Sequence, residues 1–360
     1  MSRKTKDRLT QAAVYGSAGL TVVILVLIIG FIVIRGLPGI NLSFLTRSWE
    51  DETTYILLDT DLTEDAIQAG TIDELGVTLT EDETGLLVEN LDSDSPLKSA
   101  SNIQGDPFEV KTGDYITRAT EEDNGQLRLR VERPGGGIVP MLVTTIYMIL
   151  LSLLVAAPIG IFSAVYLIEY AKPGKIMTLI HFAIENLAGI PSIIYGLFGC
   201  LFFVRVCHFQ YSLLAGALTL SIMLLPTIIT TTEESLKAIP RTYRESSLGL
   251  GATKLQTVTK VVLPNALPGI LVAVLLAMGR IVGESAALLL TAGTVASIPT
   301  ALWGNAASGA TLTIKMYTLM KEENDLTTAC AIGIVLLVIV IVLNFASKMI
   351  TKKLMSKKGE

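Results

Sequence analysis

Long apolar runs separated by short polar stretches dominate the chain. Six of these runs approach or exceed the ~20 helical residues that cross the hydrocarbon core of a bilayer. They predict an all-α polytopic membrane protein with six transmembrane helices, at residues 12–34, 138–170, 176–204, 212–230, 266–291 and 326–345.

The third run is interrupted by Gly189, Pro191 and Ser192. A break in a membrane helix is tolerated only where protein or water satisfies the freed backbone groups. We therefore expect this break to face the interior of the helix bundle.

Basic residues mark one side of the predicted arrangement. They cluster in the first eight residues, in residues 172–175 and 237–260, and in the tail at 347–360. By the positive-inside rule these segments and both termini are cytoplasmic, and six spans satisfy the rule at every loop. The composition agrees with a membrane protein, because 51% of the residues are hydrophobic and the mean hydropathy is +0.57.

An acidic insert at residues 46–133 interrupts the apolar pattern. Residues 47–133 hold 22 Asp or Glu and 7 Lys or Arg, a balance of −15 in a chain whose net charge is −5. Alternating apolar and polar positions predict strands at 108–111 and 126–131, and Asn124-Gly125 predicts a hairpin turn. We expect a small, mostly β, extracellular domain, with disorder as the alternative for residues 51–94.

A hydrophilic loop at residues 232–264 separates the fourth and fifth runs and predicts two short helices. Pro240 suits the first turn of the first helix, because the N–H that proline lacks would be unpaired there. Gly249 and Gly251 can take the positive φ that ends a helix.

The second helix of this loop is predicted over residues 254–262. Thr253 suits its N-cap, and Pro264 is expected to end it. One face of this helix carries Leu255, Val258 and Val262.

Seven positions in this loop have a specific spacing. Composition alone favours an ordinary cytoplasmic loop with an interfacial helix. The spacing, however, resembles the EAA loop of ABC importer permeases, E-A-A-x3-G-x9-I-x-L-P, and the resemblance implies coupling helices that dock into a separate ATPase subunit. The matching residues are Glu245, Ser246, Ser247, Gly251, Val261, Leu263 and Pro264.

The fifth run carries Arg280 and Glu284 at membrane depth. Placing an arginine inside a bilayer costs at least ~2.5 kcal/mol of free energy, so we expect Arg280 to have a structural or functional role. The spacing of four would place both side chains on one helix face. A buried ion pair that sets helix packing and a transient oxyanion site are both open and compatible, since an arginine fork suits phosphate or sulfate.

Ser192 follows the break in the third run. It can cap the helix that begins there, and the N-terminus of that helix would favour an anion. Helix capping alone also explains a serine at this position.

Several segments resemble the phosphate-specific transport permeases of the A type. Residues 278–292 are similar to the A-R-x-x-G-E-T-A-P-L-L-x-T-A segment of that family, with Ser285 and Ala287 in place of threonine and proline. The leucine-rich continuation favours the A type over its sister C type. Other similar segments are 137–140, 158–161, 166–170 and 189–196.

This resemblance implies the type I ABC importer permease fold, a bacterial cytoplasmic membrane location, and Arg280 and Glu284 as residues of a phosphate path. No Walker A motif occurs in the chain, so a transport subunit rather than an enzyme is expected. ATP-Mg would then be bound by two copies of a partner ATPase. The other implied partners are a C-type sister permease, an extracellular phosphate-binding protein, inorganic phosphate and the lipid bilayer.

No cofactor, metal or nucleic-acid partner is expected for this chain itself. Its three cysteines show no C-x-x-C spacing, and its two histidines are far apart in sequence. The predicted organisation is a basic N-terminus with the first helix at 1–45, the insert at 46–133, a five-helix permease core at 134–346 and a basic tail at 347–360.

Two other functions stay open. One is a permease for sulfate or molybdate, and the other is a membrane sensor whose acidic outer module binds a ligand. A sensor would need a signalling domain inside, for which the predicted cytoplasmic segments are too short. For the insert we hypothesise docking of the binding protein or the sister permease, because a balance of −15 should repel free phosphate.

Overall fold

The computed structural model describes residues 3–59, 71–72, 75–82, 85–92, 94–102, 108–121 and 126–356. The chain divides into two compact units. One unit comprises Met1–Leu42 together with Pro140–Glu360, and the other comprises Ser43–Val139. The predicted insert at 46–133 lies within the second unit.

Twelve helices occur in the described part of the chain, and all but one lie wholly or largely in the first unit. In chain order they are α1 (Arg3–Gly36), α2 (Leu42–Thr46), α3 (Val139–Val165), α4 (Lys175–Ala188), α5 (Ser192–Gly199), α6 (Leu213–Lys237), α7 (Arg241–Gly249), α8 (Lys254–Thr257), α9 (Leu263–Gly283), α10 (Ala286–Leu289), α11 (Leu312–Thr318) and α12 (Leu326–Ser356). Four of them continue into π-helical turns, at Tyr166–Tyr170, Cys200–Val206, Val258–Val262 and Leu319–Glu323.

Five helical segments of the described chain are long and apolar enough to cross a membrane. They are Ala13–Gly39, Val139–Tyr170, Leu213–Lys237, Lys254–Gly283 and Leu326–Ala346. The remaining predicted span corresponds to α4 and α5 with its π-helical turn, which meet at an angle of 98°. The number of crossings is therefore five, or six if this bent pair is one span, and the predicted break at 189–192 is confirmed.

The first and last long helices pack closely against each other. A Cβ on Gly36 would lie 2.5 Å from the carbonyl carbon of Cys330, so only glycine fits at this crossing. The apolar side chains along the rest of α1 are largely exposed in the protein, including Val26 and Leu27. Exposed apolar side chains on a long helix are expected where the helix faces lipid.

The second unit is built on a seven-stranded antiparallel sheet in the described residues. The strands are β1 (Glu52–Asp59), β2 (Thr71–Ile72), β3 (Val77–Asp82), β4 (Gly85–Leu91), β5 (Ser101–Asn102), β6 (Tyr115–Glu121) and β7 (Gln126–Arg133), in the spatial order β2-β3-β4-β6-β7-β1-β5. One face of the sheet covers an apolar core that includes Ile56, Val88, Leu127 and Leu129. Regular strands occupy much of residues 51–94, so disorder does not describe those stretches.

The strand predicted at 126–131 is confirmed within β7, and β6 pairs with it as an antiparallel neighbour. The predicted turn residues Asn124 and Gly125 lie outside the described residues. The strand predicted at 108–111 is wrong. There the backbone N–H groups of Phe108 and Val110 donate to the carbonyls of Ala100 and Leu97, which are not part of the ladder.

A buried ion pair anchors the end of β7. The Nε and Nη2 atoms of Arg133 donate to the two carboxylate oxygens of Asp114 at 3.0 and 2.9 Å, and Nη2 also donates to the Glu109 carbonyl. The Asp114 side chain is fully buried, and the Arg133 guanidinium lies 4.7 Å from the centre of the Phe108 ring. A bidentate pair of this kind fixes geometry as well as charge.

Candidate functional site

The loop between α6 and α9 forms the two predicted helices. The first of them differs from the prediction at one residue at each end. Pro240 occupies the N-cap position of α7 rather than its first turn. Gly251 has a positive φ of 85°, whereas Gly249 stays helical as the last residue of α7. The second helix starts as predicted, because the Thr253 side chain accepts from the Gln256 N–H and the Gln256 side chain accepts in return from the Thr253 N–H.

The prediction that Pro264 ends the second helix is wrong. The chain from Lys254 to Gly283 is helical throughout, because α8, the turn Val258–Val262 and α9 follow one another without a gap. Proline normally breaks a helix since it lacks an N–H and its ring clashes with the carbonyl four residues earlier. Here a π-helical turn precedes the proline. Pro264 then lies in the first turn of α9, where the missing N–H does not interrupt the helix.

This loop packs on a buried apolar cluster to which α3, α4, α6 and α9 contribute. Val258 and Val262 are buried among residues of α3, α4, α6 and α9, whereas Leu255, predicted on the same face, is 64% exposed. The cluster comprises Ala164, Val165, Leu167, Ile184, Ile229, Leu236, Ile239, Val258, Val262, Ala266 and Ile270. Val258 and Val262 therefore join the helical segment after α8 to closely packed side chains of the spans.

An ion pair ties α7 to the end of α3. The Nε and Nη2 atoms of Arg244 donate to one carboxylate oxygen of Glu169 at 2.9 and 2.7 Å. The same guanidinium donates to the carbonyls of Leu236 and Ile239, which lie at and just beyond the C-terminal end of α6. Arg244 thus bonds two helix ends at once, and sequence reasoning did not identify it.

Two further contacts hold the loop in place. The Ser247 and Thr257 hydroxyls lie 2.9 Å apart, which joins α7 to α8. The Lys254 ammonium lies 5.0 Å from the centre of the Tyr170 ring, next to the Glu169 contact. Ser247 is one of the matched positions of the predicted motif, and this hydrogen bond joins it to the second helix of the loop.

The outward side of the loop is exposed and carries charged, polar and apolar side chains. Glu245, Ser246 and Gly251 are exposed, and Pro264 is exposed at the start of α9, while Val261 and Leu263 are partly buried. Four exposed apolar side chains accompany them, namely Tyr243, Leu248, Leu250 and Leu255, of which Leu250 is 89% exposed. Contiguous exposed apolar side chains are typical of surfaces that bind other proteins, and these four lie within thirteen consecutive residues of the loop.

Arg280 lies in the last turn of α9, partly buried in an apolar span. Its Nη1 atom donates to the Thr227 hydroxyl of α6 at 3.4 Å, a long hydrogen bond. Tyr195 of α5 lies within the electrostatic reach of its charge. Within the described residues Arg280 pairs with no carboxylate.

The prediction that Arg280 and Glu284 share a helix face is wrong. Helix α9 ends at Gly283, and Glu284 is extended, with φ −84° and ψ 127°. The Glu284 carboxylate turns to the next helix and accepts from the Ala287 N–H at 3.1 Å, while its carbonyl accepts from the Thr313 hydroxyl. The proposed ion pair is therefore absent among the described residues, and the buried Glu284 joins α9, α10 and α11 instead.

Ser192 does not cap the helix after the break. It is the first residue of α5, and Pro191 stands at the cap position. The Tyr195 hydroxyl donates to the Leu187 carbonyl across the break at 2.7 Å, which satisfies one of the freed backbone groups. A Cβ on Gly196 would lie 2.7 Å from the Ala287 Cα, so α5 packs directly on α10 beside Glu284.

Comparisons with known proteins find a matching family and related proteins. Residues 156–356 match the family described as "Binding-protein-dependent transport system inner membrane component". The chain is 39% identical over 159 residues to a probable ABC transporter permease, YqgI, of Bacillus subtilis, covering 44% of this chain and 54% of that protein. It is 34% identical over 222 residues to phosphate transport system permease protein PstA 1 of Mycobacterium tuberculosis, covering 61% and 72%.

Among solved structures, an inward-facing form of the MetNI methionine ABC transporter matches 60% of this chain and 94% of its own, with 24% identity and a TM-score of 0.46. The chain spans about half the length of YqgI, the first of these relatives. The family match is broader, since it covers more than half of the 360 residues and includes the loop, the break and Arg280. The chain belongs to the family of binding-protein-dependent transport system inner membrane components.

Proposed function

We propose that this chain is the transmembrane permease subunit of an ATP-driven inorganic phosphate importer. The proposal rests on Arg280, whose guanidinium lies in an apolar span. Among the described residues this guanidinium makes only a long hydrogen bond, to the Thr227 hydroxyl. A partly buried arginine that no described carboxylate pairs with can donate hydrogen bonds from its guanidinium to an anion that passes through the helix bundle. The similarity to permeases named for phosphate transport supports phosphate as that anion.

The loop around Glu245 would receive the force of ATP hydrolysis from a partner ATPase. Its exposed apolar side chains suit a groove on another protein, and its buried side carries Val258 and Val262 into the core of the spans. Arg244 and Glu169 would keep α7 from moving independently of α3. ATP-Mg would be bound by two copies of that ATPase.

The proposed orientation follows the charge distribution. The N-terminus, the C-terminus and the loop at 232–264 would be cytoplasmic, and residues 46–133 would be extracytoplasmic. A C-type sister permease would complete the pathway, and an extracellular phosphate-binding protein would deliver the substrate. These six crossings count α4 and α5 as one broken span.

Phosphate uptake by Arg280 variants tests the pathway. Membranes that carry the complete transporter with Arg280→Gln should take up labelled phosphate at least tenfold more slowly, and Arg280→Lys should be intermediate because an ammonium lacks the fork. Arg205→Gln is the matched control, since it removes an exposed arginine at the end of a helix rather than inside a span. If both Arg280 variants are expressed normally and transport at the original rate, the pathway assignment is wrong.

Substrate choice is tested in the same membranes. Unlabelled sulfate and molybdate should compete poorly with labelled phosphate if phosphate is the substrate. If sulfate or molybdate competes as well as unlabelled phosphate does, the assignment of phosphate as the specific substrate is wrong, and the permease function is retained.

The contact with the ATPase is tested at two glycines of the loop. Gly251 has a positive φ, so alanine there is strained by ~1–2 kcal/mol, whereas Gly249 is helical and open to solvent. Gly251→Ala, and more strongly Gly251→Asp, should reduce co-purification of the ATPase, and Gly249→Ala should not. If both Gly251 variants still co-purify with the ATPase, the loop is not part of the interface with that subunit.

A further inference from the structure

The outer face of the insert's sheet carries a cluster of arginines. In β7, Leu127 and Leu129 point into the apolar core, so the alternating Arg128 and Arg130 point to the opposite face. A cavity of about 330 Å³ lies on that face. It is lined by Tyr55, Arg118, Thr120, Arg128 and Arg130.

Strand register brings these side chains together. Arg118 of β6 is the direct partner of Arg130 in β7, and Thr120 is the partner of Arg128. On the other side of β7, Tyr55 is the partner of Arg130. Like charges directly opposite each other in a sheet are destabilising, so the placement of Arg118 opposite Arg130 costs stability.

The described residues neutralise only part of this charge. Glu132 pairs with Arg130 at 2.8 Å and also accepts from the Thr117 hydroxyl. The Nε atom of Arg130 is buried and has no hydrogen-bond partner among the residues that the structure describes. Arg118 is exposed and makes no ion pair in the described part of the chain.

The cluster also contrasts with its surroundings. Residues 47–133 contain only seven lysines and arginines against 22 acidic residues, yet three of the seven line this one cavity. The repulsion of an anion by the acidic residues is screened beyond ~8 Å at physiological ionic strength. Contacts inside the cavity are much shorter than that distance, so the guanidinium groups and the adjacent Glu132 carboxylate act on an anion bound there, rather than the acidic residues farther away.

We propose that this cavity is a binding site for a dianionic phosphoryl group. A phosphoryl group carries about two negative charges and three strongly accepting oxygens, which matches several guanidinium donors better than a single carboxylate does. Thr120 adds a hydroxyl donor, and the Tyr55 ring holds the Arg128 guanidinium 4.5 Å from its centre. The bound group removes the repulsion between Arg118 and Arg130 and therefore stabilises the insert.

The phosphoryl group has two sources, free inorganic phosphate and a phosphate ester carried by a larger molecule. Both present the same oxygens to the cavity. The site lies in the insert and does not depend on the proposed transport function, because Arg280 lies in the other unit.

Calorimetric titration of the full chain in maltoside micelles, which contain no phosphate, tests the site. Inorganic phosphate and glycerol 3-phosphate are titrated separately at constant ionic strength into the natural chain, Arg118→Gln and Arg118→Lys. Lys111→Gln is the matched control, since it removes an exposed cation of the same unit outside the cavity. Circular dichroism verifies that each variant is folded.

Arg118→Gln should weaken binding at least tenfold, and Arg118→Lys should weaken it less because the charge is kept. Lys111→Gln should leave this binding within twofold of the natural chain. Binding of phosphate identifies the free anion as the source, and binding of glycerol 3-phosphate alone identifies an ester. Equal affinity in Arg118→Gln and Lys111→Gln, or competition by acetate as strong as that by phosphate, would overturn the proposal.

Thermal unfolding provides a second measurement. Phosphate should raise the melting temperature of the natural chain and of Lys111→Gln but not that of Arg118→Gln, because only the intact cluster gains from a bound dianion. Without phosphate, Arg118→Gln should melt no lower than the natural chain, since it relieves like-charge repulsion. A lower melting temperature in Arg118→Gln without phosphate would contradict the proposed electrostatics.

Discussion

Replacing Arg244 by glutamine tests how the coupling loop is held against the spans. Arg244→Gln removes both bonds to Glu169 and the bonds to the Leu236 and Ile239 carbonyls. Glu169, whose side chain is only 7% exposed, would be left as a buried carboxylate without its cation. We expect the loop at 241–263 to open locally much more often.

The magnitude follows from the burial of the two partners. Removing one partner of a buried pair costs ~3–5 kcal/mol, and the 20% exposure of Arg244 favours the lower end. About 3 kcal/mol corresponds to roughly a hundredfold change in an opening equilibrium. Glu169→Gln should cost less, about 1–2 kcal/mol, because Arg244 is more exposed and keeps its two carbonyl acceptors. In the double variant the two effects should not add, since the residues are in direct contact.

Hydrogen exchange of the backbone amides at 241–263 measures these openings directly. Protection should fall about a hundredfold in Arg244→Gln and about tenfold in Glu169→Gln. Arg241→Gln is the matched control, because Arg241 is exposed on the same helix. Protection in Arg244→Gln within threefold of that in Arg241→Gln, or strictly additive effects in the double variant, would refute the reasoning.

Three further predictions concern the remaining contacts. Asp114→Asn should lower the free energy of unfolding of the insert by about 3 kcal/mol, since it leaves Arg133 without its buried partner, and urea unfolding followed by circular dichroism measures this loss. Thr253→Ala should cost about 1 kcal/mol by removing the cap of α8 and should increase amide exchange there about fivefold, without changing exchange in the insert. Gly36→Leu should separate α1 from α12, because its side chain would overlap the Cys330 backbone, and chemical cross-linking between the two helices should then decrease.

The long helices and the loop were predictable because their causes are local. An apolar run of sufficient length predicts a span whatever it packs against, and the runs at 138–170 and 326–345 became helices. Thr253 and Gly251 act through the backbone of their immediate neighbours, so composition and spacing were enough. In the insert, alternation predicted β7, whereas 108–111 alternates without joining the sheet because its N–H groups bond to Leu97 and Ala100.

Contacts between distant segments were not predictable. Arg244 and Glu169 are 75 positions apart, and nothing in either local sequence identifies the other as its partner. The register that aligns Arg118 with Arg130 depends on which strands become neighbours in the sheet. One sequence read on its own carries no signal for such pairings, although an acidic residue at the end of an apolar run indicates that some partner exists.

Arg280 and Glu284 are four residues apart but do not lie on one helix face. A separation of four residues places two side chains on one face only while the helix continues, and α9 ends between them at Gly283. Glycine weakens the helix at this point, and the Glu284 side chain bonds to the Ala287 N–H of the next helix, as an N-terminal cap does. The two residues therefore have separate tasks: Glu284 fixes the packing of α10 and α11, and Arg280 keeps a positive charge in the span that no described carboxylate neutralises. A pathway for an anion needs such an available charge, and a closed Arg280–Glu284 pair would have withheld it.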